Sequence, residues 1–251
     1  DDEIDGRGGN DVIDAGAGDD VIRWTYANLA HRRIEGGAGG NDFLAISFTP
    51  GADVIDVSQN GTSTDTRIAR LNGTTETGSI VGGSIENLII DAGAGSDAVT
   101  LRGLHSTATR GGGIDVGRIV TQTGVENVTT ESGVVVQQPV FRFDPDGGAD
   151  TIRIEGTPGA DTITLSSVNP TGGVVGDIRV INAGVWDFTV TSTVRGEGDT
   201  LDVDGLAGND NLDATAMGDS DLAAAPVFAD LVALQLVGGS GNDRLVGTPW
   251  A

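Results

Sequence analysis

Asp2, Asp11 and Asp20 recur at a strict nine-residue interval, and each is followed two positions later by an isoleucine, Ile4, Ile13 or Ile22. The intervening chain is rich in glycine: Gly6-Arg-Gly-Gly-Asn-Asp-Val-Ile-Asp14 runs directly into Ala15-Gly-Ala-Gly-Asp-Asp-Val-Ile-Arg23. A nine-residue unit with one apolar position cannot bury that position by itself, so it must stack on copies of itself. The expected product is a coil in which a glycine turn alternates with a very short strand. Composition agrees, because 41 Gly, 10 aromatic residues and no Cys among 251 residues do not furnish an ordinary globular core. Hydrophobic residues still make up 37 %, with Val and Ile in alternating runs, so the chain is expected to fold.

The same phase returns along the chain. Gly39-Gly-Asn-Asp42-Phe-Leu44, Gly51-Ala-Asp53-Val-Ile55 and Gly93-Ala-Gly-Ser-Asp97-Ala-Val99 repeat it, as do Gly148-Ala-Asp150 and Gly159-Ala-Asp161. It closes with Asp199, Gly208-Asn209-Asp210 and Gly238-Gly-Ser-Gly-Asn-Asp243-Arg-Leu245. The spacing is nine only at the start and widens to eleven or more. A longer period overlies it, since Thr49-Pro-Gly-Ala-Asp-Val-Ile-Asp-Val-Ser58 reappears 108 residues later as Thr157-Pro-Gly-Ala-Asp-Thr-Ile-Thr-Leu-Ser166. Two tandem modules are expected, 1–140 and 141–251, with turn chemistry at Gln137-Gln-Pro139 and Asp144-Pro-Asp-Gly-Gly148 between them. Between the turns, β-branched segments such as Ile178-Arg-Val-Ile181 and Phe188-Thr-Val-Thr191 read as strands. Helix is plausible only over Tyr26 to Arg33 and Asp221 to Leu236, the latter interrupted by Pro226.

Charge points to the partner. A net charge of −23 argues against nucleic acid and anionic membrane surfaces and in favour of a multivalent cation. Glycine turns leave carbonyl oxygens unshielded, and the fixed Asp sets a carboxylate beside them. Calcium takes six to eight oxygen ligands of these two kinds and needs no His or Cys. The candidate ligand positions are Asp2, Gly9, Asn10, Asp11, Gly18, Asp19, Asp20, Gly40, Asn41, Asp42, Asp53, Gly95, Asp97, Asp150, Asp161, Asp199, Gly208, Asn209, Asp210, Gly239, Gly241, Asn242 and Asp243. Two nonapeptides complete one coil, which places Asp2 and Asp20 on one edge and Asp11 on the other. Coils about 4.8 Å apart bring stacked carboxylates close enough to repel by about 0.9 kcal/mol in water and several-fold more at an effective dielectric of about 20. A thin core cannot offset that repulsion, so the metal-free chain is expected to be largely disordered and to fold as several calcium ions bind.

These residues resemble the RTX (repeats-in-toxin) haemolysin-type calcium-binding family, whose pattern Gly-Gly-x-Gly-x-Asp before an alternate apolar residue is met in full by Gly238 to Leu245. Arg7, Ala15 and Ala92 replace a glycine in other copies, and the Gly-Ala-Asp turns at Asp53, Asp150 and Asp161 lack the upstream glycines. The resemblance implies an all-β fold, a right-handed parallel β-roll or β-solenoid, here irregular and carrying inserted loops. It also implies export through type I secretion from a bacterium and folding outside the cell or at its surface, where calcium is plentiful.

Enzyme chemistry finds little support. All 14 basic residues are Arg, which removes Schiff-base lysines and P-loops, and Cys chemistry is absent. His31 and His105 stand 74 residues apart without a partner motif, and no Gly-x-Ser-x-Gly elbow occurs. Asp144-Pro-Asp146 and Asp202-Val-Asp204 lack the rest of an EF-hand. Trp24, Trp186 and Trp250 are expected to cap the thin core. No apolar run is long enough to span a membrane. Asp1 falls inside a repeat and Thr248 to Ala251 break off where another would begin, so the chain reads as part of a longer one. The expected role is a non-enzymatic, calcium-binding structural segment of a large secreted or cell-surface protein. It would act as spacer or assembly unit and contact further copies of itself or adjacent repeats. The alternative is the non-catalytic module of a secreted protease, lipase or polysaccharide-modifying enzyme.

Overall fold

The computed structural model of the chain describes residues 1–6, 11–25, 32–104, 109, 111–115, 118–129, 135–144, 148–168, 177–191, 198–217 and 232–248. The chain is an all-β roll of two sheets, and its path alternates between them. The first sheet takes β1 (Glu3–Asp5), β3 (Val21–Thr25), β5 (Phe43–Ser47), β9 (Asn87–Asp91) and β11 (Gly111–Asp115). It continues through β17 (Trp186–Thr191), β16 (Asp177–Asn182), β15 (Thr162–Val168), β19 (Asn211–Ala216) and β21 (Arg244–Val246), in that spatial order. The second sheet runs β2 (Ile13–Asp14), β4 (Arg32–Glu35), β8 (Thr75–Gly83), β7 (Thr66–Asn72) and β6 (Val54–Gln59). Then follow β10 (Ala98–Arg102), β14 (Thr151–Glu155), β18 (Thr200–Asp204) and β20 (Ala233–Val237). A separate antiparallel pair joins β12 (Arg118–Thr129) to β13 (Val135–Asp144).

Most neighbours are parallel, and register follows the phase of the turn Asp. Ile4 pairs with Ile22, Ile22 with Leu44 and Leu44 with Leu88 in the first sheet. In the second, Ile55 pairs with Val99, Val99 with Ile152, Ile152 with Leu201 and Leu201 with Leu234. Ile4 on the first strand is half-buried and Leu245 on the last is exposed, whereas the expectation that the apolar residue two positions after each Asp points inward is met at Ile13, Ile22, Leu44, Ile55, Val99, Ile152, Ile163, Leu201 and Leu212, which are buried. Together with their partners two residues on, such as Ile46, Val57 and Val203, they form one core shared by both sheets. Each such side chain contributes about 1.5–3 kcal/mol by leaving water. Trp24 and Trp186 are buried in that core as expected, whereas Trp250 lies outside the described residues.

The excursions after the two Thr-Pro-Gly-Ala-Asp turns are strands of the roll itself. After Asp53 the chain makes a three-strand meander, β6–β7–β8, with β7 antiparallel to both neighbours. After Asp161 the meander β15–β16–β17 repeats the arrangement. The first meander widens the nine-stranded sheet and the second the ten-stranded sheet. Between them β10 pairs with β14 and β11 with β17, so the sheets run without a break from one sequence module into the next. In β11, Gly112 faces the interior opposite both Leu88 and Phe188. A Cβ at Gly112, φ +145°, would overlap the Leu88 carbonyl oxygen, so the core at this level rests on the neighbouring strands, where the buried Phe188 ring lies 6.0 Å from that of Trp186.

The helix expectation is overturned wherever those segments are described. Arg32 and Arg33 open β4, and Ala233 to Leu236 lie in β20, paired in parallel with β18. Ala and Leu favour helix in isolation, but a strand that completes a ladder and covers a core edge outweighs that preference. Residues 26–31 and 221–231 lie outside the described residues. On the outer faces, cross-strand ion pairs such as Arg102 with Asp56, 2.6 Å, and Arg153 with Asp204 offset part of the acidic excess.

Candidate metal centre

Every strand that follows a turn Asp begins where the Asp hands the chain from turn to ladder. The carbonyl of Asp20 accepts the N–H of Phe43 at 2.8 Å, and that of Asp210 accepts the N–H of Arg244 at 2.7 Å. The N–H of the same Asp donates to the carboxylate of the equivalent residue in the next coil. Asp2 N donates to Asp20 Oδ1 at 2.6 Å, Asp20 N to Asp42 Oδ1 at 2.9 Å, and Asp42 N to Glu86 Oε2 at 2.9 Å. On the opposite edge the column runs from Asp53 N to Asp97 Oδ1 (2.7 Å), Asp97 N to Asp150 Oδ1 (2.6 Å) and Asp150 N to Asp199 Oδ1 (2.9 Å). A third run links Asp161 N to Asp210 Oδ1 (2.8 Å) and Asp210 N to Asp243 Oδ1 (3.0 Å). The carboxylates thus stand in two columns, one per sheet edge, that of the first sheet being split into two runs by β11, β17 and β16. Successive rungs are separated by 18, 22 and 44 residues at the start, so coil length varies while the rung does not.

The columns are buried: Asp20, Asp42, Asp53, Asp97, Asp150, Asp161, Asp199 and Asp210 all lie inside, Asp20 with 0 % of its surface exposed. Desolvation comes first among the causes that raise the pKa of Asp42, Glu86 and Asp210, followed by the backbone N–H each accepts, which lowers it, and by neighbouring carboxylates, which raise it again. A hydrogen bond to a charged acceptor contributes about 1.5–3 kcal/mol. Two carboxylates about 4.8 Å apart repel by about 3.5 kcal/mol at an effective dielectric of about 20. The backbone N–H groups therefore offset the repulsion and the burial of charge only in part.

The turns beside these columns are built backbone against backbone. Gly37 carries φ +120°, and a Cβ there would overlap the Gly16 carbonyl oxygen. Gly40 stands against the Gly18 carbonyl in the same way, Gly241 against that of Gly208, and Gly148 against that of Gly95. Glycines five or six residues before the Asp leave room for its carboxylate: a Cβ at Gly36 or Gly205 would lie 2.5 Å from Asp42 Oδ2 or Asp210 Oδ2. Asp19 Oδ1 accepts Asn41 N, and Asn209 Oδ1 accepts Asn242 N, both at 2.9 Å, so the residue before each Asp joins its turn to the next.

These residues fit calcium by the chemistry of their donors. Asp20 Oδ2 and Asp210 Oδ2 are buried without a hydrogen-bond partner, and the glycine turns that precede them stack their carbonyls on the next coil. Among the described residues no three His, Cys, Asp or Glu side chains converge, so an ion here would draw most of its ligands from backbone carbonyls, as calcium readily does. Asp2 and Asp20 lie on the edge of the first sheet and Asp11 on that of the second, as the nine-residue phase requires. Asp11 is exposed, and Asp243 is half-buried at the last coil. Gly9, Asn10, His31 and His105 lie outside the described residues.

Three features of the columns escaped the sequence reading. Glu86 takes an Asp position without any Gly-Asp signature, although Leu88 two residues later carries the right phase, and Ser84 turns the chain at φ +50°. Thr49 and Thr157 bond to the Asp of their own turn. Arg70 and Asn182 reach Asp53 and Asp161 from neighbouring strands, a contact that no local spacing reveals.

A family model describing the RTX calcium-binding nonapeptide repeat matches residues 1–23 and 235–249, in four copies. No curated protein and no solved structure matches the chain. The matched residues fall in the first and last coils of the roll. The chain therefore carries RTX calcium-binding nonapeptide repeats, units that form β-rolls and bind calcium, at both ends of its two-sheet stack.

Proposed function

We propose that the chain is a calcium-binding structural β-roll segment of a protein working outside a bacterial cell, where it serves as spacer or assembly unit. The buried Oδ2 atoms of Asp20 and Asp210, which have no hydrogen-bond partner and follow turns whose glycine carbonyls stack coil on coil, carry this reading. The ions sit between successive turns, held by Gly18, Asp19, Asp20, Gly40, Asn41 and Asp42 at one end and by Gly208, Asn209, Asp210, Gly239, Gly241, Asn242 and Asp243 at the other. Gly95, Asp97, Asp150 and Asp199 offer the same donor types in between. Calcium reverses the sign of the carboxylate repulsion, and its binding free energy becomes folding free energy. The sequence modules 1–140 and 141–251 are two copies of one building unit in this reading.

Isothermal titration calorimetry of the metal-free chain with calcium tests the reading. Saturable binding accompanied by a gain of β signal in circular dichroism is expected. Absence of both would overturn it.

A further inference from the structure

The two Thr-Pro-Gly-Ala-Asp turns meet their carboxylates differently from the glycine turns. Thr49 gives both its backbone N–H, at 2.9 Å, and its hydroxyl, at 2.7 Å, to Asp53 Oδ2. The guanidinium of Arg70 pairs with Asp53 Oδ1. In the second turn the Thr157 N–H reaches Asp161 Oδ2 at 2.7 Å and its hydroxyl reaches Oδ1 at 3.0 Å. Asn182 Nδ2 donates to the same Oδ1 at 2.8 Å. Both carboxylates are buried and face these donors, while their own backbone N–H groups donate onward to Asp97 Oδ1 and Asp210 Oδ1.

The donors come from equivalent places. Arg70 lies in the middle strand of the first meander, opposite Ile55, and Asn182 lies in the middle strand of the second, opposite Ile163. Ile55 and Ile163 are themselves 108 residues apart and stand two positions after Asp53 and Asp161. One register position thus supplies a cation in one copy and an amide in the other, each aimed at the turn Asp. A carboxylate whose lone pairs already accept N–H and O–H groups has little left for calcium, and a guanidinium on the first repels a second cation.

We propose that Thr49 with Arg70, and Thr157 with Asn182, take the place of calcium at Asp53 and Asp161. Those two turns do not bind the ion. Each meander with its turn is a calcium-independent clamp, one in each sheet, and calcium acts on the glycine-turn coils flanking them. This division rests on the calcium-binding reading above, but it can fail separately.

Hydrogen–deuterium exchange of the full chain, metal-free and calcium-saturated, tests it strand by strand. Amides of β6, β7, β15 and β16 should keep protection within about threefold between the two states, while those of β3 and β19 should gain about tenfold or more with calcium. In the metal-free chain, Thr49→Val should cost β6 and β7 about tenfold in protection, and Thr49→Ser, which keeps the hydroxyl, should restore most of it. If calcium removal strips β6, β7, β15 and β16 along with β3 and β19, the clamps are overturned while the calcium reading stands. If calcium alters no strand, the calcium reading itself falls. Equal protection in Thr49→Val and the parent chain would remove Thr49 from the device.

Discussion

At the scale of single residues, the roll depends on a few glycines whose missing side chain leaves space for a neighbouring coil. Gly37 and Gly39 separate this requirement from simple turn geometry. Both have positive φ, +120° and +72°, but only Gly37 has a carbonyl oxygen where its Cβ would go, and Gly39 has nothing within 4 Å. Gly37→Ala should therefore cost about 1–3 kcal/mol from strain and more from separation of the stacked turns, whereas Gly39→Ala should cost about 1 kcal/mol. Chemical denaturation in saturating calcium measures both. Equal losses would mean that the stacked carbonyl is not the constraint. The carboxylates show a similar split: at one phase Asp161 is met by hydrogen-bond donors on both oxygens, Asp53 by Thr49 on one oxygen and by the Arg70 guanidinium on the other, and Asp20 and Asp210 each keep a buried Oδ2 without a hydrogen-bond partner.

Among the elements, the parallel strands were legible in the chain because one rule, an apolar residue two positions after the turn Asp, fixes both the face and the register. The meanders were not. Val54-Ile-Asp-Val and Ile178-Arg-Val-Ile read as strands, but alternation specifies only which face is inward, and strand direction is set by the turns at Gly73 and Gly184, φ +62° and +75°. The Thr-Pro-Gly-Ala-Asp repeat marked both sites without disclosing that its Asp would be met from a strand 17 to 21 residues onward. Glu86 shows the converse: phase was the dependable signal, and residue identity was not. The glycine strand β11 makes a separate demand on its neighbour. Phe188→Ala should destabilise the chain by about 3–5 kcal/mol, because no side chain at Gly112 can close the resulting cavity. Thermal or denaturant unfolding would show it, and a loss under about 1 kcal/mol would mean that the core closes from elsewhere.

For the whole molecule, two buried acidic columns dominate the response to pH. Burial raises the pKa of Asp42, Glu86, Asp91 and Asp210. A raised folded pKa gives a contribution fully present below the unfolded value, about 4, and lost as pH rises through the folded value. Asp213, held low first by the Thr215 hydroxyl and also by Arg244, has the opposite sign, and its contribution disappears only at lower pH. Metal-free protein should thus melt at a higher temperature as pH is brought down from neutrality toward 5. A midpoint that only falls over that interval would contradict the burial of the columns. The placement of the meanders has its own consequence. Each inserts two extra strands, about 10 Å of height, into one sheet only, and the 108-residue offset sends the second insertion to the sheet that the first left short. Within this chain the two insertions compensate, so that the facing walls of ten and nine strands climb together although each insertion alone would leave one of them short.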